Sequence, residues 1–144
     1  KIHGQPHRKK VTFAWNADDV AKVFRSMMEP GIDNYKYIDL PLSNYAAANY
    51  VMVTNNGKTV GFSMFSGYSF NERSMLSLGI VDPDIQVGDV LTLVWGEPEA
   101  GGGSQKTTVE RHKQIEIRVK VSPVPYSRDA RENYADSWRT KQAV

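Results

Sequence analysis

The feature that most constrains the fold is a strict alternation of apolar and polar residues late in the chain. Ile115, Ile117, Val119 and Val121 occupy every second position, and charged side chains stand between them. Successive side chains of a β-strand point to opposite faces. The segment 114–121 therefore predicts a strand that has one face in a core and the other in water.

Five other segments predict short strands. They lie around Val11–Trp15 and over 50–54, 58–66, 74–81 and 90–95. The Asn56-Gly57 pair between the second and third strands predicts a tight hairpin, and Val60, Phe62 and Met64 are expected to share one face. We therefore predict a mostly β fold, a six-stranded antiparallel closed barrel that is Greek-key or jelly-roll-like, because closure leaves no unpaired edge.

Two helices are expected outside the strands. Asn16 is a candidate N-cap for a helix inserted at about 16–29, which Pro30-Gly31 ends. A short C-terminal helix is predicted from residues that recur every fourth position, namely Ala130, Tyr134 and Trp138. The expected organisation is a linker from a missing upstream domain (1–8), a barrel domain (9–126) and a partly helical tail (127–144).

The composition is that of one soluble globular domain, with 144 residues, 40% of them hydrophobic and 24% charged. The absence of cysteine excludes disulfides and thiolate nucleophiles, and it is compatible with the cytoplasmic location that we expect. A net charge of +2 is too small to indicate nucleic acid as the main partner. Since no apolar run is long enough to span a bilayer, we also expect no membrane partner.

No constellation of side chains predicts catalysis or metal binding. His3 and His7 have the spacing that could hold a metal ion on a helix, but Gly4 and Pro6 between them argue against a helix there. His112 is expected to be an exposed polar residue. The paired carboxylates Asp18-Asp19 and Asp82-Asp84 are explained by helix capping and by a turn. We therefore expect no catalytic residue and no metal ligand in this chain.

One loop carries a candidate contact residue. Gly67 stands between two serines at an expected sharp reversal, where glycine would tolerate positive φ, and this places Tyr68 at the tip. An aromatic side chain exposed at a loop tip is typical of a binding contact. The alternative, a tyrosine folded back on the barrel, is equally compatible with the pattern.

Basic residues favour a different function. They cluster twice in the chain, at Arg8-Lys9-Lys10 and at Lys106, Arg111, Lys113, Arg118 and Lys120. A small barrel with a basic face can bind single-stranded nucleic acid. A stand-alone barrel that binds single-stranded nucleic acid or a protein partner is therefore the alternative hypothesis.

Five motifs, in this order, resemble the C-terminal barrel of the folate-dependent glycine-cleavage T-protein (aminomethyltransferase) family. They are Arg8–Val11, Gly61 with Ser66–Ser69, Leu76–Val81, Val87–Asp89 and Ser122–Tyr126. Two more segments, Leu93–Pro98 and Thr108–His112, are similar to the branch of tetrahydrofolate-dependent aryl O-demethylases that act on vanillate- or syringate-type lignin aromatics. Phe70, where the family usually has proline, and the inserted helix depart from the family pattern.

The resemblance implies a transferase that moves a one-carbon unit from a small aromatic methyl ether to tetrahydrofolate. In this family, two domains before the barrel hold most of the cofactor and substrate, so the resemblance implies that the chain alone is inactive. The implied role of the barrel is to close over the folate site. The cofactor-binding residues expected on this basis are those of the hairpin: Ser66, Gly67, Tyr68, Ser69 and Arg73.

Overall fold

The structure, a computed structural model, describes residues 7–38, 50–98 and 109–133. Its elements, in chain order, are β1 (Lys9–Trp15), α1 (Ala17–Ser26), β2 (Val51–Asn55), β3 (Lys58–Ser69), β4 (Ser74–Val81), β5 (Val90–Trp95), β6 (Ile115–Ser122) and α2 (Arg128–Glu132). The predictions for residues 1–6, for Lys106, and for the tail from Tyr134 onwards, including Trp138, lie outside the described residues.

The six strands close into a barrel in the order β1-β4-β3-β2-β5-β6, and every neighbouring pair is antiparallel. The connection from β1 runs through α1, so that β1 pairs with β4 and β6 instead of β2. At the β2–β3 hairpin, Asn56 and Gly57 both have positive φ, 50° and 82°. These φ values confirm the predicted hairpin. The strand order and the helices α1 and α2 confirm the predicted closed barrel with its two helices.

The core lies inside the barrel and is filled by large side chains that face small ones. Phe13 on β1 is fully buried, and its ring lies where a Cβ on Gly79 of β4 would stand. The rings of Trp15 and Trp95 meet edge to face with centroids 5.6 Å apart. The Trp15 indole donates to the Ser77 hydroxyl at 2.9 Å, so this inward polar group is satisfied.

The two faces of β4 differ in burial. Met75, Ser77, Gly79 and Val81 are buried, whereas the larger residues between them are more exposed. On β3, Val60 is buried and belongs to the core, while Phe62 and Met64 are only half-buried. The expectation that these three share one face was wrong, because the register of β2 and β3 shifts around Val60.

Helix α1 is fixed to the barrel at its first turn. The Asn16 side chain accepts the Asp19 backbone N–H at 3.1 Å, which confirms the predicted cap. Asp19 is buried and receives both the backbone N–H and the guanidinium of Arg118 on β6, each at 2.9 Å. These hydrogen bonds hold the pKa of the Asp19 carboxyl below its usual range.

In the described part of the chain, neither helix has the length and apolar character to cross a membrane.

Candidate functional site

An open, mainly apolar groove of about 440 Å³ lies between the β3–β4 hairpin and the segment after β6. Its floor comes from β1 and β4, one wall from the end of β3, and the other wall from residues that follow β6. Its lining residues are Thr12, Phe65, Gly67, Tyr68, Ser69, Leu76, Ser77, Leu78, Val124, Pro125 and Tyr126. Three aromatic side chains among them give the groove the character of a site for a flat, weakly polar group.

A bulge in β3 shapes the first wall. The pairing of β3 with β4 shifts between Met64 and Gly67, and Phe65 has a φ of 52°. A bulge adds a residue to one strand and re-aims the side chains beside it. Phe65 thereby lines the groove, and beyond the bulge Gly67 resumes pairing opposite Leu76.

The chain reverses later than the sequence predicted. Gly67 and Tyr68 belong to β3, and the turn is formed by residues 70–73, where Arg73 has a φ of 54°. The expected reversal at Gly67 is therefore wrong, because the bulge lets the strand continue to Ser69. Tyr68 lies on the strand, with a relative exposure of 37%.

The five predicted cofactor-binding residues lie on one hairpin but have different surroundings. Gly67, Tyr68 and Ser69 line the groove, whereas Ser66 sits in the bulge. Arg73 lies on the turn, where its guanidinium stands 5.5 Å from the centre of the Phe70 ring. Whether these residues bind a cofactor stays a prediction.

The second wall is held by α2. Arg131 on this helix donates to the backbone carbonyls of Pro125 and Tyr126, at 2.9 and 2.5 Å. A guanidinium provides several donors in a fixed geometry, so one side chain fixes two successive residues of the wall. Sequence reasoning predicted a helix here but missed its contact with the groove, because contacts across a turn leave no periodic signal.

The groove offers binding groups but few reactive ones. Hydroxyl-bearing residues among its lining are Thr12, Tyr68, Ser69 and Tyr126, whereas the Ser77 hydroxyl accepts from Trp15 inside the barrel, and no charged side chain lines the groove within the described residues. Nor do the described residues place three or more His, Asp or Glu side chains together as candidate metal ligands. The arrangement is suited to covering or holding an aromatic group.

A second, smaller cavity lies around His112, which the sequence predicted to be exposed. That prediction was wrong, since His112 is 2% exposed. Its Nε2 accepts the backbone N–H of Glu97 at 2.8 Å, and its Nδ1 lies 2.8 Å from the carbonyl oxygen of Glu110. The ring therefore links two backbone segments. The nearby ion pair between Lys36 and Glu97, 3.0 Å long, connects a third segment, the one that carries Lys36. This cluster fixes loops, and Gly96 leaves room for the ring.

Together, these features define a class: a closed antiparallel barrel with an open, mainly apolar surface groove. No protein-family model matches the chain. The syringate O-demethylase of Sphingobium sp. (strain NBRC 103272 / SYK-6) is 44% identical over 144 residues, covering 99% of this chain and 30% of that protein. The sesamin methylene transferase of Sinomonas sp. (strain No.22) is 34% identical over 130 residues, covering 83% of this chain and 26% of that protein.

The chain thus spans less than a third of the length of each of these relatives. The match to the syringate O-demethylase nevertheless covers nearly all of this chain. Along this shared segment the chain is related to these two proteins, which confirms the predicted relationship to the tetrahydrofolate-dependent O-demethylases.

Proposed function

We propose that this chain is the barrel domain of a tetrahydrofolate-dependent methyltransferase of the O-demethylase type, and that it closes over the folate site. In this proposal, residues 1–8 link the barrel (9–126) to preceding domains, and 127–144 form its tail. The observation that carries it is the groove, since the hairpin expected to face folate forms one wall of an apolar, aromatic-lined surface. The identity with a syringate O-demethylase supports the same class of enzyme.

The residues of the groove fit part of a tetrahydrofolate molecule. Phe65, Tyr68 and Tyr126 offer ring faces and edges to an aromatic system, and the Ser69 hydroxyl can hydrogen-bond to it. Arg73, exposed at the hairpin, offers a positive charge to a carboxylate. Tetrahydrofolate would supply the acceptor for the one-carbon unit. The residues of this chain would position and cover it, while the reacting groups lie on other domains.

The substrate and the setting are proposals of the same kind. A small aromatic methyl ether, of the type named for the syringate O-demethylase, is the proposed methyl donor of the whole enzyme. The role of the whole enzyme in one-carbon metabolism and in the catabolism of lignin aromatics stays a prediction. The cytoplasmic location of the enzyme is also a prediction. We expect the 144-residue chain alone to show no O-demethylation, and turnover by it would contradict this assignment.

The nucleic-acid hypothesis receives little support from the basic cluster. Arg118 is engaged by the buried carboxylate of Asp19, and the ammonium of Lys113 lies 5.2 Å from the centre of the Tyr35 ring. Lys106 is outside the described residues. These two cations are thus committed to contacts within the barrel, which leaves them less suited to a phosphate backbone.

The test is the affinity of the longer polypeptide for tetrahydrofolate. We expect Tyr68→Ala to weaken binding about five- to tenfold, because an aromatic contact contributes about 1–1.5 kcal/mol. Tyr68→Phe should keep most of the affinity, since it retains the ring. Tyr50→Ala is the matched control, because Tyr50 is 75% exposed and lies outside the groove. An unchanged dissociation constant for Tyr68→Ala would refute the placement of the hairpin.

A further inference from the structure

A continuous apolar surface covers the outside of β2, β3 and β4. We call it the apolar face, and its residues are Met52, Phe62, Met64, Leu76, Leu78 and Ile80. Across the strands, Phe62 lies opposite both Met52 and Ile80, and Met64 lies opposite Leu78. Leu78 is 47% exposed and Met52 41%. The six side chains therefore form one patch and are not scattered.

The opposite side of the same barrel shows what a wet strand face looks like in this protein. On β6, the outward positions are Glu116, Arg118 and Lys120, and all three are exposed. On β4, by contrast, both faces are poor in charge. Strands that are buried on both faces have this composition, and a large exposed apolar patch marks an interaction site. The face of β3 and β4 thus has the chemistry of a buried surface.

The position of the patch indicates its occupant. The chain enters β1 at Arg8, whose guanidinium lies 5.6 Å from the centre of the Phe62 ring and forms an ion pair of 3.2 Å with Asp82. Polypeptide preceding β1 therefore starts at the rim of the apolar face. The relatives are more than three times as long as the segment that this chain matches. A surface beside such a tether meets the attached polypeptide at a high effective concentration.

We infer that the apolar face is the surface on which the rest of the longer polypeptide docks, through an apolar surface of its own. This rests on the proposed function only in so far as that function requires further domains. Leu76 and Leu78 belong to the face and also line the groove. The docked domain therefore borders the groove, and the groove becomes part of a site at a domain boundary, where ligand sites are common.

Thiol labelling in the longer polypeptide tests this inference. The 144 residues contain no cysteine, so Met52→Cys, Leu78→Cys and Glu116→Cys each place one thiol in the barrel. The labelling rate of each is measured by mass spectrometry of its peptide, with and without tetrahydrofolate, against the urea-unfolded protein. We expect about tenfold or greater protection at positions 52 and 78, with or without tetrahydrofolate, and little at position 116. Ile80→Cys replaces any face variant that does not fold.

Three results would overturn the inference. Fast labelling at both face positions would show that nothing covers the face. Protection of position 78 that requires tetrahydrofolate, with position 52 reactive, would assign it to a ligand in the groove and leave the proposed function standing. Protection that disappears on dilution would identify a second copy as the occupant. The inference survives a failed Tyr68→Ala test, because labelling does not depend on cofactor binding.

Discussion

Gly79 is the position where one added methyl group should damage the barrel most. A Cβ at this residue would stand 2.0 Å from Cε2, 2.6 Å from Cδ2 and 2.8 Å from Cζ of the Phe13 ring. Ordinary carbon contacts are about 3.5–4.0 Å long. The ring would thus have to move by more than about 1 Å in a core packed like a crystal, and Phe13 has no exposed surface through which to move.

The cost of Gly79→Ala follows from that displacement. Overpacking of a core costs about 1–3 kcal/mol or more, and forcing an aromatic ring off its rotamer adds roughly 0.5–1.5 kcal/mol. The reduced entropy of the unfolded chain returns only about 0.4–1 kcal/mol. We expect the free energy of unfolding to fall by about 3 kcal/mol. For a chain of this length, that lowers Tm by roughly 10 °C.

Urea unfolding followed by the fluorescence of the buried tryptophans, Trp15 and Trp95, measures this loss. The double variant Phe13→Leu/Gly79→Ala serves as the internal control, because leucine lacks the ring atoms Cε2 and Cζ. In it, Gly79→Ala should cost at least about 2 kcal/mol less than it does in the wild-type background. A loss below about 1 kcal/mol for Gly79→Ala, or strict additivity in the double variant, would refute the proposed packing.

Two further predictions concern the polar contacts that hold the helix and the loops. Asp19→Asn should lower the free energy of unfolding by about 2 kcal/mol at pH 7. Because folding lowers the pKa of Asp19, the stabilisation by its carboxylate is present above about pH 4 and is lost as the pH falls through the folded-state pKa. A difference in unfolding free energy between variant and wild type that stays constant down to pH 2 would contradict this. His112→Leu should destabilise by about 2 kcal/mol, since it removes the acceptor of the Glu97 N–H, whereas His7→Leu at an exposed position should be near neutral; equal effects in thermal unfolding would contradict the burial of His112.

The strands could be predicted because their signal is local. The predicted limits of β4, β5 and β6 lie within one residue of those observed, and the Asn56-Gly57 turn allowed only a tight hairpin. Closure followed from the number of short strands. In each case a period of two residues and the chemistry of the turn act without help from distant parts of the chain.

The groove, and the correct face of β4, depended on distant contacts. The sequence of β4 places large apolar residues such as Leu78 beside small ones such as Gly79, and periodicity alone does not say which set is inside. Phe13, more than 60 residues away, occupies the space above Gly79 and thereby sends Leu78 outward. The burial of His112 likewise has no periodic signal, because its ring is fixed by the backbone N–H of Glu97, 15 residues earlier in the chain.

The most direct test of the account is a crystal structure of the longer polypeptide with tetrahydrofolate bound. We predict that side-chain atoms of Tyr68 or Ser69 lie within about 4 Å of the cofactor, with a preceding domain packed over Phe62, Leu78 and Ile80. A cofactor bound wholly within other domains, with this groove open to solvent, would contradict the claim that the barrel closes over the folate site.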